Sequence, residues 1–494
     1  MLTPNLTINQ ASTMLRSGEV SSVELVQAFI DQIDQYEPSL HTFLHLEKDH
    51  ALATARSADQ LLNSGIDTAP LLGIPIGVKD NIHVQGMPTT CGSKMLEGYS
   101  PPFEATAISQ LRQAGAIVVG KTNMDEFAMG SSTENSAYGG TYNPWNIDYV
   151  PGGSSGGSAA ALASGFVLGA LGSDTGGSVR QPASLCGVCG LKPSYGRISR
   201  YGLVAFGSSL DQIGLFARTA HDIALLLKAA EGKDPQDATS RSSAPIDFQP
   251  LSSLAGIRIG WLEDTLDSCT VSVKQAVQAA LAEMENLGAE LIPIRLECMD
   301  MALPAYYLIA SAEASANLAR FDGLRYGKRQ ADDTFTNATI RSRSRYLGPE
   351  VKRRIMLGTF ALSAGYAERY YYKAQRLRER IAADFEEVFG RLDAIVSPTS
   401  PNTAFKVGAI VHDPIEMYRQ DVFTLAVNLA GICGLSIPCG FDSLGLPIGV
   451  QLIGPQGRDE LLLQVADTYQ QATVWHLQRP DMALLSNHRK EETQ

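Results

Sequence analysis

One lysine of this 494-residue sequence stands where it could act as a base. Lys79 follows the apolar run Ile74–Val78 and precedes an Asp-Asn pair, a pattern typical of the end of a buried strand. Burial can lower the pKa of a lysine from about 10.4 by roughly 3–5 units, so a neutral amine becomes available near neutral pH. The alternative is a surface lysine whose ammonium group reaches water from the strand end.

A glycine-rich segment, Gly172–Arg180, offers a nucleophile and a place for negative charge. It reads GSDTGGSVR, and consecutive small residues let several backbone N–H groups converge on one point, as the oxyanion of acyl transfer requires. Ser178 follows two glycines and lies beside those donors. Asp174 and Arg180 are the only charged residues between positions 151 and 191, and could pair across the turn and fix it. Taken alone, the segment could also be a simple glycine-rich turn.

Two further segments match the sequences of catalytic motifs but lack the secondary structure or the partner residues that those motifs require. Gly115–Thr122 fits G-x-x-x-x-G-K-T, yet its intervening residues are mostly β-branched and favour a strand over a phosphate-binding loop. Gly152–Gly156 fits G-x-S-x-G, but that hydrolase motif needs a histidine base, and no late histidine lies in a glycine-bounded turn. Cys186 and Cys189 have the spacing of a metal or redox pair, but no second pair matches them, which favours two packed thiols.

The hydrophobic pattern predicts the elements that position these residues. Ser21–Glu24 fits a capping box that opens a helix, and a second helix is predicted over Leu46–Asn63. The apolar run before Lys79 is typical of a strand, Thr106–Gln113 of a helix, and residues 117–119 of another strand. Short apolar strands that alternate with amphipathic helices indicate a layered α/β protein.

The composition excludes several classes of protein. The formal net charge of −12 argues against a chain that holds nucleic acid by itself, because phosphate contacts require a basic surface. With 44% hydrophobic and 19% charged residues, the chain is expected to fold around a large core rather than to be disordered. The seven cysteines are scattered, which favours a reducing compartment over a disulfide scaffold.

One uncharged stretch raises the question of a membrane. Val150–Ser173 is long enough to cross a bilayer, but its glycine and serine content disfavours a helix in lipid. The first residues show no basic stretch followed by an apolar one, so no signal peptide is expected. These observations together predict a cytosolic protein.

Two stretches differ in composition from the rest of the chain. Residues 131–210 contain 16 glycines and 14 serines. A flexible linker is the alternative here, but the apolar run Ala159–Leu171 favours tight turns in a packed region. Residues 320–354 hold ten basic and four acidic side chains, which predicts a solvated surface, with a partner-binding patch as the alternative.

Three segments together are similar to the motifs of the amidase signature family: Gly73–Asn81, Pro151–Ser158 and Gly172–Pro182. The resemblance covers roughly residues 5–480 and implies amide hydrolysis by a Ser–Ser–Lys triad in which one serine has a cis peptide bond. It implies these roles: Ser178 as nucleophile, Ser154 as the cis-serine that relays the proton, and Lys79 as base. It also implies oxyanion donors, the backbone N–H groups of Thr175, Gly176, Gly177 and Ser178, and supporting residues, Ser155, Asp174 and Arg180.

The fold implied by the resemblance is one large α/β domain, in which helices cover both faces of a mixed central β-sheet. We expect a single amidase domain over residues 1–485. Its expected parts are an N-terminal helical segment (1–65), a Gly/Ser-rich catalytic core (66–220) and a substrate-pocket and partner-facing part (221–485). Residues 486–494 are expected to form a polar tail.

Four further segments resemble the family members that serve tRNA-dependent amidotransferases: Met124–Gly139, Phe321–Gly327, Glu350–Gly358 and Tyr418–Gly431. This resemblance implies that Ser178 takes the glutamyl group of glutamine, that NH₃ leaves, and that water then frees glutamate. Ammonia would pass to a partner B subunit that activates misacylated Glu-tRNA(Gln) with ATP and Mg²⁺, and a small C subunit would complete a heterotrimer. The partner would hold most of the tRNA, and no metal or cofactor is expected in this chain.

Glutamine itself sets requirements for its binding site, because it carries a carboxylate and an ammonium group. Within the resemblance, we expect Arg354 to bind the carboxylate, in a bidentate manner where possible, and Asp421 to bind the ammonium. Tyr306 is expected to add a hydroxyl, although the adjacent Tyr307 is an alternative. Ordinary ion pairing or packing is the alternative role for each of them.

Two rival functions and two departures from the family pattern stay open. A free-standing amidase could use the same triad on another small amide, or the chain could be an inactive scaffold in a complex. Asp-tRNA instead of Glu-tRNA as acceptor, and an organelle instead of the bacterial cytoplasm, are also open. Leu215 stands where the family usually has proline, and Cys433 where proline or another small residue is common.

Overall fold

A mixed sheet of eleven strands forms the centre of the protein in the computed structural model, which describes residues 6–65, 69–242, 244–297, 299–410 and 412–483. The predicted polar tail at 486–494 lies outside these residues. In chain order, the strands are β1 (Phe43–Leu46), β2 (Pro75–Lys79), β3 (Ile117–Thr122), β4 (Gly169–Asp174), β5 (Cys189–Lys192), β6 (Gln212–Ala217), β7 (Arg258–Leu262), β8 (Glu290–Ile294), β9 (Ala394–Pro398), β10 (Cys433–Phe441) and β11 (Pro447–Gly454).

The order of strands across the sheet is β1-β3-β2-β4-β6-β5-β10-β11-β9-β7-β8. Strand β2 is parallel to both β3 and β4, and β7 is parallel to both β8 and β9. The remaining neighbours are antiparallel. The prediction of a mixed sheet is therefore confirmed.

Fifteen α-helices surround the sheet within the described ranges. They are α1 (Ile8–Ser17), α2 (Ser22–Leu40), α3 (Lys48–Asn63), α4 (Thr106–Gln113), α5 (Gly156–Ala163), α6 (Arg180–Cys186), α7 (Ala220–Ala230), α8 (Val271–Asn286), α9 (Met299–Asn317), α10 (Phe335–Tyr346), α11 (Pro349–Leu362), α12 (Tyr371–Phe389), α13 (Pro414–Arg419), α14 (Leu425–Leu429) and α15 (Asp459–Ala472). No helix of this part of the chain is both long and apolar enough to span a bilayer.

Helices cover both faces of the sheet. Successive residues of a strand point to opposite faces, so neighbouring side chains pack into different cores. Leu171 of β4 and Leu215 of β6 pack into a core shared with α1, α4, α7 and α15. Their chain neighbours Ala170 and Phe216 pack into a second core, shared with α5 and α6. The departure from proline at position 215 therefore places a leucine in the packed centre of a strand.

A third core brings helices α9, α11, α12 and α14 together beside β7, β9 and β11. Helix α9 carries Tyr306 and packs closely against α11, which carries Arg354. This helical layer therefore holds two of the residues that sequence analysis assigned to glutamine binding.

The predicted elements agree with the structure in most places and fail in one. Ser21 caps α2 through a capping box, α4 spans Thr106–Gln113 as predicted, and β3 continues through Thr122. The helix predicted over Leu46–Asn63 is present as α3 and ends at Asn63, but it begins at Lys48 because residues 43–46 form the edge strand β1, which pairs antiparallel with β3. Such a short strand is specified by its partner rather than by its own residues.

Candidate active site

The site lies at one edge of the sheet, where β2 and β4 end side by side. The two strands are parallel neighbours, with Val78 opposite Leu171, so their carboxyl ends meet at the same edge. Lys79 is the last residue of β2, and Ser173 and Asp174 are the last two of β4. Helix α5 packs against these strands and brings the segment before it to the same place.

Lys79 has no exposed surface and is held by three serine hydroxyls. Its Nζ lies 2.8 Å from both Ser154 Oγ and Ser155 Oγ, and 2.9 Å from Ser173 Oγ. Burial lowers the pKa of Lys79 to about 7, although buried aspartates, first among them Asp125, raise it. A substantial fraction of the amine is therefore neutral at pH 7, as a general base requires.

The hydrogen bonds around Lys79 commit the hydroxyl proton of Ser155 elsewhere and leave that of Ser154 free for transfer. Ser155 donates its hydroxyl proton to the backbone carbonyl of Ser173 at 3.1 Å, so it can only accept a hydrogen bond from the amine. Ser173 Oγ accepts a second bond, from the side-chain amide of Asn81 at 2.9 Å. Among the described residues, the hydroxyl of Ser154 contacts only Lys79, so its proton can point at the lone pair of a neutral amine.

Ser154 is positioned by its backbone. The Gly153–Ser154 peptide bond is cis, as the family resemblance implies, and the Ser154 carbonyl accepts a hydrogen bond from the N–H of Asp125 at 3.2 Å. The carboxylate of Asp125 accepts N–H bonds from Thr133 and Asn135, and a side chain at Gly153 would overlap it. Asp125 thereby ties the cis segment to the loop that begins near residue 130.

Ser178 is the most exposed member of the expected triad, at 7%, whereas Lys79 and Ser154 have no exposed surface. Its carbonyl accepts a hydrogen bond from the N–H of Ser155 at 3.2 Å, which holds Ser178 next to the segment that carries Ser154. In the described structure no hydrogen bond joins the hydroxyls of Ser178 and Ser154. Catalytic hydrogen bonds of this kind often form only when substrate is bound.

The predicted pairing of Asp174 and Arg180 is confirmed. Arg180 Nη2 and Nε lie 3.0 and 3.1 Å from the two oxygens of Asp174, and neither residue is exposed. Although burial raises the pKa of Asp174, Arg180 outweighs this effect and the pKa falls to about 2. The ion pair joins the two ends of residues 174–180, called the nucleophile turn here after the expected role of Ser178.

The same carboxylate decides which backbone groups remain as oxyanion donors. Asp174 accepts the N–H of Gly177 at 2.9 Å and that of Val179 at 3.1 Å. Gly177, expected among the donors, is therefore already bonded. The N–H groups of Thr175, Gly176 and Ser178 make no hydrogen bond within the described ranges and remain available.

Two glycines bring Tyr306 and Asp421 against this turn. A Cβ at Gly176 would lie 2.7 Å from Tyr306 Oη, and one at Gly177 would lie 3.1 Å from Asp421 Oδ1. Gly177 also has φ +141°, in a region that side-chain-bearing residues rarely adopt. The structure thus places Tyr306 beside the turn, whereas the ring of Tyr307 stacks on Tyr418 with centroids 3.8 Å apart.

Asp421 presents an unpaired oxygen in this region. The residue is 6% exposed, and its Oδ2 accepts a hydrogen bond from the Ser131 hydroxyl. Its Oδ1 is buried and has no hydrogen-bond partner in the part of the chain that the structure describes. Burial raises the pKa of Asp421 to about 7. Since an unsatisfied buried carboxylate is costly, a cationic ligand would stabilise this arrangement.

Arg354 is 3% exposed, so the predicted solvated surface over residues 320–354 is wrong at this position. Its Nε donates to Glu350 Oε1 at 2.6 Å, and the rings of Tyr307 and Tyr418 lie 5.1 and 5.3 Å from the guanidinium carbon. Its two terminal nitrogens form no hydrogen bond with any described residue. They are therefore available for a bidentate contact with a carboxylate.

Sequence analysis missed four residues of the site: Ser173, Asp125, Ser131 and Glu350. Three of them lie inside segments that carry the family resemblance, at 124–139 and 350–358, and Ser173 lies inside the glycine-rich segment itself. Those segments were the available signal. The individual contacts join residues distant in sequence, as in Ser131 with Asp421, and no local pattern indicates them.

Two of the rejected motifs, Gly115–Thr122 and the cysteine pair, have structural roles. Lys121 of β3 is fully buried, bonds to the Pro88 carbonyl and the Thr89 hydroxyl, and pairs with Asp80 at 3.2 Å. The predicted strand at this motif is thus confirmed. Cys186 and Cys189 are buried free thiols, and the described residues contain no cluster of His, Cys, Asp and Glu suited to a metal ion.

Comparison with known proteins identifies relatives along nearly the whole chain. The family model named Amidase matches residues 24–463. The A subunit of glutamyl-tRNA(Gln) amidotransferase from Synechococcus elongatus is 52% identical over 476 residues, which cover 96% of this chain and 99% of that protein.

Solved structures show the same fold. The A subunit of glutamyl-tRNA(Gln) amidotransferase from Thermotoga maritima superposes with a TM-score of 0.78 at 40% identity, over 96% of both chains. A native peptide amidase from Stenotrophomonas maltophilia gives a TM-score of 0.80 at 30% identity, over 96% of this chain and 98% of that one. The fold alone therefore does not distinguish the two activities, whereas the sequence identity is higher to the amidotransferase protein.

Proposed function

The chain belongs to the amidase family, and we propose that it is the component of a glutamyl-tRNA(Gln) amidotransferase that releases ammonia from glutamine. The identity of 52% to such a protein over nearly the full length of both chains supports this function. We also propose that residues 1–485 form one amidase domain.

The observation that carries the choice of glutamine is that two buried residues of opposite charge, Asp421 and Arg354, each keep hydrogen-bonding atoms free for a ligand. Asp421 has a buried oxygen without a partner, and Arg354 has two terminal nitrogens without partners among the described residues. A free α-amino acid satisfies both at once, with its ammonium on Asp421 and its carboxylate on Arg354. A simple neutral amide would leave the buried oxygen of Asp421 without a partner, which is costly, and would not use the terminal nitrogens of Arg354.

In the proposed acylation step, Ser178 Oγ attacks the side-chain amide carbon of glutamine. The Ser178 proton passes to Ser154, and the proton of Ser154 passes to the neutral amine of Lys79. The N–H groups of Thr175, Gly176 and Ser178 bind the oxyanion of the tetrahedral intermediate, and each such donor contributes about 2.7–4 kcal/mol in a well-studied protease.

Collapse of the intermediate breaks the C–N bond. The proton held by Lys79 returns through Ser154 to the leaving nitrogen, so NH₃ departs and a glutamyl ester remains on Ser178. Water then attacks this ester while the same relay takes its proton. Glutamate leaves, and the hydroxyl of Ser178 and the neutral amine of Lys79 are restored.

The released ammonia is proposed to react in a complex. We propose a partner B subunit that uses ATP and Mg²⁺ to activate Glu-tRNA(Gln), and a small C subunit that completes a heterotrimer in the cytoplasm or an organelle. This chain needs no cofactor of its own under the proposal. Its net charge of −12 suits a protein that leaves most tRNA contacts to its partner.

The test is to purify the chain alone and with its B and C partners and to measure conversion of glutamine to glutamate. The rate should rise when the partners, ATP and misacylated tRNA are all present, and Glu-tRNA(Gln) and Asp-tRNA are compared as acceptors. A high, unstimulated rate on unrelated amides from the chain alone would indicate a free-standing amidase instead. Unchanged ammonia release by Ser178→Ala would indicate an inactive scaffold.

A further inference from the structure

Glu350 lies on α11, one turn before Arg354, and is 8% exposed. Its Oε1 accepts two hydrogen bonds from the interior, one from Arg354 Nε at 2.6 Å and one from the Tyr418 hydroxyl at 2.8 Å. Its Oε2 is bonded to Arg353, whose side chain is 47% exposed. Oε1 of Glu350 therefore bonds to residues of the site, and Oε2 bonds to a residue at the surface.

We propose that Glu350 is a positioning residue that sets the orientation and spacing of the amino-acid clamp, defined here as Arg354 and Asp421. The inference rests on the proposed function. Because Glu350 occupies the Nε side of the guanidinium, the two terminal nitrogens of Arg354 are left for the carboxylate of the substrate. The planar guanidinium cannot turn without losing this bond.

The hydrogen bond from Tyr418 also links Glu350 to Asp421, the second residue of the amino-acid clamp. Tyr418 lies three residues before Asp421, and its carbonyl accepts the Asp421 N–H at 3.4 Å. Its ring also stacks on Tyr307 and lies against Arg354. Glu350 Oε1 thus joins helix α11, which carries Arg354, to the turn that carries Asp421.

This arrangement predicts an effect on substrate selection rather than on bond cleavage. Glu350 has no hydrogen bond to Lys79, Ser154 or Ser178 in the described structure. Loss of the Glu350 carboxylate should weaken the binding of a ligand that contacts both Arg354 and Asp421. It should not alter the reaction of an amide that has neither a carboxylate nor an ammonium group.

The experiment uses the complex with its partner subunits and compares two substrates, glutamine and butyramide, which keeps the amide and its alkyl chain but lacks both charged groups. Glu350→Ala is expected to raise KM for glutamine about tenfold or more, the usual effect of losing a hydrogen bond to a charged group. Turnover of butyramide and kcat for glutamine should each stay within about threefold, because the triad is untouched.

Two matched variants separate positioning from folding. Glu350→Gln can keep an oxygen at the Oε1 position with both interior bonds, so it should restore most of the affinity for glutamine. Arg353→Gln removes only the surface contact and should behave like the unaltered complex.

The possible results are distinct. If Glu350→Ala leaves KM for glutamine unchanged, or lowers the rates on both substrates equally, the positioning role is refuted while the proposed function stands. If the unaltered complex hydrolyses butyramide but not glutamine, the proposed function is wrong, and the inference about Glu350 falls with it.

Discussion

Lowering the pH from 8 to 6 should reduce kcat/KM for glutamine about a hundredfold, but that for butyramide only about tenfold. The prediction follows from two buried groups whose pKa values both lie near 7. Lys79 reaches about 7 because burial lowers its pKa, and Asp421 reaches about 7 because burial raises its pKa.

The sign of the effect is the same for both groups. In the proposed mechanism Lys79 acts as a base when neutral and Asp421 binds an ammonium group when ionised. Both forms increase as the pH rises through about 7. With a pKa of 7, each active form falls from about nine-tenths at pH 8 to about one-tenth at pH 6. Glutamine requires both forms at once, so the two tenfold losses multiply, whereas butyramide requires only neutral Lys79.

The assay measures ammonia release from both substrates between pH 5.5 and 8, where the ammonium group of glutamine stays largely protonated. Since kcat/KM reports the groups of the free enzyme, substrate binding does not obscure the two pKa values. Asp421→Asn serves as a control, because it should weaken glutamine hydrolysis and reduce the pH dependence to that of one group. Circular dichroism at each pH shows whether the fold persists.

Two outcomes would contradict the prediction, one by excluding the role of Asp421 and the other by excluding the role of Lys79. Equal pH dependence for glutamine and butyramide would mean that Asp421 does not bind the ammonium group. A rate that stays constant for both substrates from pH 8 to 6 would mean that Lys79 is not used as a neutral base.

Three further predictions concern single substitutions. Ser178→Ala should reduce ammonia release at least about a thousandfold with unchanged circular dichroism, because it removes the nucleophile but no packing; turnover near the unaltered rate would refute the assignment. Gly177→Ala should lower the free energy of unfolding by about 1–3 kcal/mol more than Gly18→Ala in urea titrations, because both glycines have positive φ but only the first meets neighbouring atoms; equal losses would show that the close approach is unimportant. Asp174→Asn should cost about 3–5 kcal/mol at pH 7, since it leaves a buried guanidinium unpaired. The free energy of unfolding of the unaltered chain should fall by about 2 kcal/mol between pH 5 and pH 2, because the pKa of Asp174 in the folded state is about 2 and protonation removes the pair; an equal fall in Asp174→Asn would argue against this source.

The local hydrophobic pattern was sufficient to predict the strands and the helix that surround Lys79. The apolar run before Lys79 forms β2, the β-branched stretch after Gly115 forms β3, and α4 has the predicted bounds. The edge strand β1 was not predicted, because its four residues are all half-buried and show no alternation. Its conformation depends on hydrogen bonds to β3, which is far away in sequence.

For the site, the sequence determined which residue types are present and which backbone turns are possible. A glycine directly before each of Ser154 and Ser178, and a lysine at a strand end, follow from order along the chain alone. The pairing of Asp174 with Arg180 is equally local, since only six positions separate them.

Only the tertiary structure decided which of these groups are buried and which charged side chains keep atoms without a partner. Lys79 has a pKa near 7 because distant segments enclose it, and Arg354 is buried against a helix and a turn rather than exposed. The unpaired oxygen of Asp421 likewise results from where α9, α13 and the nucleophile turn meet. Desolvation and unsatisfied hydrogen bonds are properties of an environment built from remote parts of the chain, so no reading of neighbouring residues can supply them.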